Sequence, residues 1–341
     1  MRKDIIRKLS RFENLTKEEL QEALTDIVGG KSTEGQIGAF IMGMAMKGAS
    51  VEEITAAAEK FREWATRVPY PHPEELVDTC GTGGDRVDTF NVSTMTAFVV
   101  AAAGGKVAKH GNRAVSSKCG SADFIEALGA YIELPPEAVS KLIDEVGIGF
   151  LFAPIYHPAM KSVAKVRREV GVKSLFNLVG PLSNPAGAKR QLVGVYSADL
   201  VEPLAHVLKN LGVIKGYVVH GMEGLDEVSV TDETLVAEIS PEGVNVYKVK
   251  PEDFGLKRRP LEEIAGGDCA TNVRIFEEIL EGRNEAAEDF LVINSAFALA
   301  AAGLVENPQR GVELARETIR SGRVRETVKR FVELSNRWKN Q

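Results

Sequence analysis

Two glycine-rich loops, one short helix apart, contain the residue types that bind phosphate groups. Residues 78–85 read DTCGTGGD, and residues 109–123 read KHGNRAVSSKCGSAD. Each loop follows a short apolar run and precedes a helical pattern, so backbone N–H groups and a helix N-terminus would face a bound anion. The second loop adds cations and hydroxyls, which form strong hydrogen bonds to phosphate. This pair, called here the first and second loops, predicts a site for a large, doubly phosphorylated molecule.

Other phosphate-binding patterns do not fit. The first loop lacks the GxGxxG dinucleotide pattern, and Gly30-Lys31-Ser32 is preceded by Thr25 where a Walker A motif needs glycine. Taken alone, the first loop is equally compatible with a glycine turn before a capped helix. A solvated basic loop would explain the lysines of the second loop, but not its glycines and serines at a strand-to-helix junction.

Two adjacent carboxylates, Asp226 and Glu227, follow the predicted strand that ends at His220. Adjacent carboxylates without a cationic neighbour are costly unless water or a metal ion surrounds them. Mg²⁺ prefers one or two carboxylates together with substrate phosphates. Such a pair is more often an acidic surface turn, and it becomes a candidate metal site only because the two phosphate loops are present.

Histidines and cysteines add no catalytic pattern. His110 lies in the second loop but has no partner acid that would make it a base, and the other histidines lack metal-ligand spacing. The cysteines are Cys80, Cys119 and Cys269. None forms a CxxC pair and their number is odd, so we expect reduced thiols in a cytosol.

Composition excludes some classes of function. The 341 residues carry a net charge of −6, which argues against sequence-independent nucleic-acid binding. The charged N-terminal stretch does not resemble a signal peptide. The apolar stretch 290–304 contains Asn294 and Ser295, so we expect a buried helix and no membrane span.

The chain divides by pattern at a proline-rich stretch near residue 70. Residues 1–68 are predicted to be helical, with capping boxes at Thr16, Thr33 and Ser50. Residues 74–341 alternate short apolar runs with helical patterns, which predicts a mostly parallel sheet flanked by helices. Within them we expect an antiparallel hairpin over residues 235–250 and a helical C-terminus. A basic helical stretch at 161–178 interrupts the alternation and is expected to join the N-terminal unit in space.

Together, these motifs resemble those of anthranilate phosphoribosyltransferases over essentially the whole chain. Besides the two loops, the resemblance rests on Gln36 and Phe40, TFNVST at 89–94, VRREVG at 166–171, FNLVGPLSNP at 176–185 and GLDE at 224–227. The resemblance implies an α/β fold like that of class II nucleoside phosphorylases, with a small all-helical N-terminal domain. It also implies that the active site lies between the domains, and that phosphoribosyl pyrophosphate donates its phosphoribosyl group to the amine of anthranilate.

The same resemblance implies the site residues. The metal ligands would be Ser93, Asp226 and Glu227, with two Mg²⁺ ions per subunit. No strong general base is expected, and Lys109 with bound Mg²⁺ would stabilise the transition state. The residues implied for phosphoribosyl pyrophosphate are Gly81, Gly83, Gly84, Asp85, Thr89, Asn91, Ser93, Thr94, Lys109 and Ser121. The residues implied for anthranilate are Gly81, His110, Asn112, Arg167 and Pro181, with Gly111 close by.

Further implications concern partners and alternatives. We expect a cytoplasmic homodimer, formed through the helical domain, that associates with anthranilate synthase. Three departures from the family pattern, the charged run at 86–88, Ala114 and Cys119, bear on affinity and not on the reaction class. The alternatives are a pyrimidine nucleoside phosphorylase, in which Asp226 and Glu227 would have no evident role, and a nucleic-acid-binding relative, which the acidic net charge opposes.

Overall fold

Four helices begin the chain in a computed structural model that describes residues 1–84, 87–114 and 118–339. They are α1 (Lys3–Leu9), α2 (Lys17–Val28), α3 (Glu34–Lys47) and α4 (Val51–Trp64). The three predicted capping boxes are confirmed. The side chains of Thr16, Thr33 and Ser50 each accept a hydrogen bond from the backbone N–H of the third residue of the helix. The side chain of that third residue accepts one from the backbone N–H of the cap.

Eleven further α-helices lie in the described part of the chain. They are α5 (Val92–Ala102), α6 (Ser121–Ala127), α7 (Pro136–Val146), α8 (Ala153–Tyr156), α9 (Lys161–Val170), α10 (Leu175–Leu178), α11 (Val201–Asn210), α12 (Cys269–Leu280), α13 (Glu285–Ala302), α14 (Pro308–Arg320) and α15 (Arg323–Asn336). The predicted helical C-terminus is therefore confirmed.

The helices surround one seven-stranded sheet of order β3-β2-β1-β4-β5-β6-β7. Strands β1 to β5 are parallel to one another, β6 pairs antiparallel with β5, and β6 and β7 form the predicted antiparallel hairpin. Because β1 to β5 are parallel, their carboxyl ends meet at one edge of the sheet, called here the carboxyl edge. The strands are β1 (Leu76–Gly81), β2 (Lys106–Gly111), β3 (Ile148–Phe152), β4 (Arg190–Gly194), β5 (Lys215–Gly221), β6 (Thr234–Ile239) and β7 (Val244–Val249).

Apolar side chains form two cores. One core contains α13, whose side chains from Ala286 to Ala301 are buried against α5, α14 and the sheet. The other core joins the N-terminal helices, α9 and α10 to α11 and to buried side chains of β4, β5 and β6. The predicted fold class is confirmed, and residues 290–304 lie largely within buried α13 as expected. Among the described residues, no helix is long and apolar enough to cross a membrane.

The prediction that all cysteines are reduced is wrong for two of them. Cys119 and Cys269 form a disulfide, with their Cα atoms 5.2 Å apart, while Cys80 is free and buried. The partners are separated by 150 residues of sequence. Spacing rules recognise only local cysteine patterns, whereas this pair meets because α12 packs beside α6.

Candidate active site

The carboxyl edge gathers the three sequence motifs that were expected to act together. The first loop continues from β1, the second loop continues from β2, and Asp226 with Glu227 follows β5. Helix α5 begins after the first loop, and α6 begins within the second. Asp85, a predicted donor-site residue, lies outside the described residues.

Asp226 joins the first loop directly. Its Oδ2 accepts a hydrogen bond of 2.9 Å from the backbone N–H of Gly83. A Cβ at Gly81 would lie 2.7 Å from the same Oδ2, and a Cβ at Gly194, the end of β4, would lie 1.5 Å from the backbone oxygen of Asp226. The absence of side chains at these two glycines therefore lets the acidic turn approach the loop.

The predicted metal ligands fit a hard divalent cation. Asp226 and Glu227 are half-buried, and Ser93 is a half-buried residue in the first turn of α5. The backbone oxygen of Ser93 accepts a hydrogen bond of 2.8 Å from the hydroxyl of Thr79, which fixes the start of α5 against β1. Carboxylate and hydroxyl oxygens are the ligand type that Mg²⁺ takes in proteins.

The second loop closes on the start of α6. The Ser121 hydroxyl accepts a hydrogen bond of 3.1 Å from the Asn112 N–H and donates one of 3.2 Å to the Asn112 carbonyl. A Cβ at Gly111 would lie 2.2 Å from that hydroxyl oxygen, so the closure requires glycine there. Arg113 forms ion pairs with Asp123 and Glu126, so its charge is already compensated.

Lys109 does not face the opening of the loops. The residue is 2% exposed, and its ammonium donates hydrogen bonds to the carbonyls of Thr79 and His110. The family resemblance implied that this cation stabilises the transition state, and that role stays a prediction. In the structure the ammonium ties the ends of β1 and β2 together from within the sheet.

Asp78 is a site-positioning residue that sequence reasoning missed. Its buried carboxylate accepts hydrogen bonds from the backbone N–H of His110 at 3.1 Å and from the Asn184 amide at 2.8 Å. Asn184 also donates to the carbonyl of Ala108 at 2.8 Å. Burial raises the pKa of Asp78. The only sequence signal was its position at the start of the first loop.

Two buried histidines meet beside the second loop. The rings of His110 and His157 lie 4.9 Å apart between centroids, and neither Nε2 atom has a hydrogen-bond partner among the described residues. Burial lowers the pKa of His157 to about 4, and it lowers the pKa of His110 well below its usual range. Both rings are therefore neutral at pH 7. His157 was set aside in the sequence because it lacked metal-ligand spacing.

Arg167 and Pro181 lie on the segment that runs from α9 past α10. The guanidinium of Arg167 is half-buried and lies 5.8 Å from the centroid of the Phe176 ring, and burial lowers its pKa. The carbonyl of Pro181 accepts a hydrogen bond of 3.0 Å from the Gln191 amide. The Cys80 thiol donates to the same carbonyl at 3.9 Å, so the segment reaches the first loop.

Asn91 precedes α5 but does not cap it with its side chain. Its amide donates to the carbonyl of Cys119 at 2.9 Å and accepts from the Asn272 amide at 2.8 Å. It therefore connects the second loop to α12. Nearby, Thr89 forms a β-bridge with Ala265, and the buried Thr94 hydroxyl has no hydrogen-bond partner within the described ranges.

Two family models match most of the chain. The helical bundle domain of a glycosyl transferase family matches residues 3–65, and the a/b domain of a glycosyl transferase family matches residues 73–325.

Relatives and solved structures match over nearly the full length. An anthranilate phosphoribosyltransferase of Persephonella marina is 55% identical, covering 98% of this chain and 99% of the relative. The crystal structure of anthranilate phosphoribosyltransferase from Thermus thermophilus has a TM-score of 0.91 at 40% identity and covers 98% of this chain and 99% of its own. The Saccharomyces cerevisiae enzyme in complex with PRPP and Mg has a TM-score of 0.88 at 28% identity, with coverages of 98% and 97%.

Proposed function

This chain belongs to the anthranilate phosphoribosyltransferase family, and we propose how its carboxyl edge carries out the reaction. The enzyme transfers the phosphoribosyl group of 5-phosphoribosyl 1-pyrophosphate (PRPP) to the amine of anthranilate in tryptophan biosynthesis. The products are N-(5-phosphoribosyl)anthranilate and pyrophosphate. The observation that carries the site assignment is the hydrogen bond from Gly83 to Asp226, because it joins a phosphate loop to a pair of carboxylates.

The donor site that we propose extends along the first loop, the start of α5 and the start of α6. Backbone N–H groups and hydroxyls there would bind phosphate oxygens. The buried, unpartnered hydroxyl of Thr94 supports this assignment. Lys109 contributes by fixing the ends of β1 and β2. The residues are Gly81, Gly83, Gly84, Asp85, Thr89, Asn91, Ser93, Thr94, Lys109 and Ser121.

Ser93, Asp226 and Glu227 would hold Mg²⁺, for which we propose two ions per subunit. The half-burial of the two carboxylates and the oxygen donor set support this assignment. When bound, Mg²⁺ supplies positive charge that stabilises the departing pyrophosphate. Titration of bound metal per subunit, by calorimetry in the presence of PRPP, tests the stoichiometry.

The acceptor site that we propose is formed by Gly81, His110, Asn112, Arg167 and Pro181, with His157 behind His110. A neutral, aromatic environment suits the ring of anthranilate, and the Arg167 guanidinium suits its carboxylate. The contact between the His110 and His157 rings supports this assignment.

The reaction depends on the placement of the two substrates more than on proton transfer. The bond from the anomeric carbon to pyrophosphate breaks with oxocarbenium character, so charge must be stabilised on the leaving group by loop N–H groups. The acceptor residues place the weakly basic amine near that carbon. His110 and His157 are buried and neutral at pH 7, and the reaction as proposed requires no strong general base.

The direct test of the donor site is calorimetry with PRPP. We expect binding that requires Mg²⁺ and disappears with a chelator. Binding without Mg²⁺ would contradict the metal assignment. Salt-dependent binding of oligonucleotides, with no PRPP binding, would instead favour a nucleic-acid-binding relative.

We further propose that residues 1–68 and 161–178 form one helical unit, and that the rest of residues 74–341 forms an α/β unit beside it. The packing of α9 against α2 and α3, and of α10 against α3, supports this division. Limited proteolysis that preferentially separates these units would agree with it, whereas cleavage concentrated within α9 would not.

A homodimer through the helical unit is also proposed. Phe12 is 60% exposed, and Met42 and Met46, one turn apart on α3, are 43% and 64% exposed. Exposed apolar side chains grouped in this way favour burial against a second copy. Light scattering at micromolar concentration should give the dimer mass, and Met46→Glu should shift it toward the monomer. A monomeric wild type would contradict the proposal.

Cytoplasmic location and association with anthranilate synthase are proposals supported by the family resemblance. Cell fractionation tests the first. Co-purification with anthranilate synthase tests the second, and separate elution of the two enzymes at physiological salt would contradict it.

A further inference from the structure

Lys173 reaches the first loop from the helical side of the molecule. It lies between α9 and α10, and its ammonium donates a hydrogen bond to the carbonyl of Gly84. A Cβ at Gly84 would lie 3.2 Å from the Lys173 Cε atom, and Gly84 has a φ of +76°. Glycine at this position therefore accommodates both the turn and the approach of the lysine side chain.

Tyr196 orients the same ammonium. The Lys173 Nζ atom lies 3.7 Å from the centroid of the Tyr196 ring, a cation–π contact. Tyr196 follows β4, and its backbone N–H donates to the Thr82 hydroxyl at 3.1 Å. Lys173 thus contacts residues that follow two neighbouring strands at the carboxyl edge, while its own segment packs with the N-terminal helices.

The negative charge of the site makes the position of Lys173 beside the first loop important. Asp226 accepts a hydrogen bond from the first loop, and Glu227 follows it. A polyanionic donor bound at this loop would add further negative charge, so cations are needed in addition to the metal. Lys109 is buried against backbone carbonyls, and Arg113 is paired with Asp123 and Glu126. Lys173 is exposed and contacts the first loop at the Gly84 carbonyl.

We propose that Lys173 binds the pyrophosphate group of PRPP. This inference rests on the proposed donor site. The ammonium exchanges the carbonyl of Gly84 for a phosphate oxygen, and a flexible lysine side chain suits such a movement because it acts as a mobile point charge. Since Lys173 lies on the helical side, the bound donor then connects both sides of the site.

The test compares the PRPP dissociation constants of Lys173→Met, Lys173→Arg and the wild type by calorimetry with Mg²⁺. A charge-assisted hydrogen bond to phosphate predicts at least a roughly tenfold loss of affinity for Lys173→Met and a largely retained affinity for Lys173→Arg. The Michaelis constant for anthranilate should stay within about twofold. Lys165→Met is the matched control, since Lys165 is an exposed lysine on α9 that pairs with Glu34, and it should bind PRPP as the wild type does.

The outcomes distinguish the role of Lys173 from the donor site as a whole. If the wild type binds PRPP and Lys173→Met has the same dissociation constant, the role of Lys173 is overturned and the donor site stands. An equal loss in Lys165→Met overturns it as well, because the effect would then be one of net charge. Failure of the wild type to bind PRPP with Mg²⁺ overturns both the donor site and this inference. Thermal unfolding of each variant confirms that the exposed substitutions leave the fold unchanged.

Discussion

Asp226 accepts a hydrogen bond from the backbone N–H of Gly83, although 143 residues of sequence separate them. The contact brings the turn after β5 to the loop after β1, across the intervening strand β4. Gly194 at the end of β4 permits the crossing, because a Cβ there would overlap the backbone of Asp226. One hydrogen bond thereby unites the candidate metal ligands with the phosphate loop.

Replacing both carboxylates should abolish metal-dependent turnover. In Asp226→Asn combined with Glu227→Gln, the neutral amides remain oxygen donors but no longer attract Mg²⁺ strongly. We expect at least a hundredfold loss of Mg²⁺-dependent activity, measured by metal titration at saturating substrates. Glu242→Gln, at the exposed tip of the β6–β7 hairpin, is the control for lost charge. An unchanged metal titration in the double variant would remove these residues as ligands.

Arg167→Ala should affect the acceptor more than the donor. Loss of the guanidinium that pairs with a carboxylate predicts a rise of about tenfold or more in the Michaelis constant for anthranilate, with a smaller change for PRPP. The neighbouring Arg168 is exposed, so Arg168→Ala provides a control on the same helix. Steady-state kinetics with each substrate varied in turn gives the comparison. Equal effects on both constants would count against the assignment.

The buried histidines predict that the protein loses stability in mild acid. The pKa of His157 is about 4 in the folded state against an ordinary value of 6.5, because burial disfavours its charged form. Between these values the unfolded state binds more protons, so the free energy of unfolding falls as pH falls from 6.5 to 4 and is constant above 6.5 with respect to this group. Between pH 7 and pH 5, the titration of His157 lowers the free energy of unfolding by about 2 kcal/mol.

Denaturant unfolding at pH 7 and pH 5 measures this effect. His157→Gln should show a smaller loss of stability between the two pH values than the wild type. His206→Gln, which changes an exposed histidine, should keep the wild-type difference. The same difference in all three proteins would show that His157 does not carry the effect.

Gly84 and Gly30 form a matched pair of substitutions. Both have positive φ values, +76° and +70°, so alanine at either position is strained by about 1 kcal/mol. Nothing lies within 4 Å of a Cβ at Gly30, whereas a Cβ at Gly84 meets Lys173. We expect only Gly84→Ala to weaken PRPP binding in calorimetry. A similar weakening in Gly30→Ala would mean that backbone strain alone, and not the loop, explains the effect.

The disulfide determines how many free thiols a reagent should detect. A thiol reagent added to unfolded, non-reduced protein should detect one thiol per chain, that of Cys80, and three after reduction. Cys269→Ser should lower the free energy of unfolding by about 2–4 kcal/mol, because the bond closes a long loop in the unfolded chain. Three thiols before reduction would contradict the pairing.

Local patterns predicted the elements well. The capping boxes at Thr16, Thr33 and Ser50, the β6–β7 hairpin and the buried α13 all depend on residues close in sequence, so their signals are visible there. The two loops were also recognisable, since glycines and hydroxyls between a strand and a helix indicate an anion-binding loop without reference to distant residues.

Contacts between distant segments could not be predicted in this way. The Cys119–Cys269 bond and the position of Lys173 against Gly84 depend on how crossovers order the strands, which no local pattern encodes. The direction in which the Lys109 ammonium points could not be predicted for a related reason. A lysine in a loop motif suggests an exposed cation, but its position within β2 directs the ammonium to carbonyls of the sheet.

The most direct test of the proposed reaction follows the fluorescence of anthranilate over time with purified protein, PRPP and Mg²⁺. We expect a decay that requires all three components and stops when a chelator is added. No decay from folded protein that still binds PRPP would contradict the proposed acceptor, and the search would then turn to other amines.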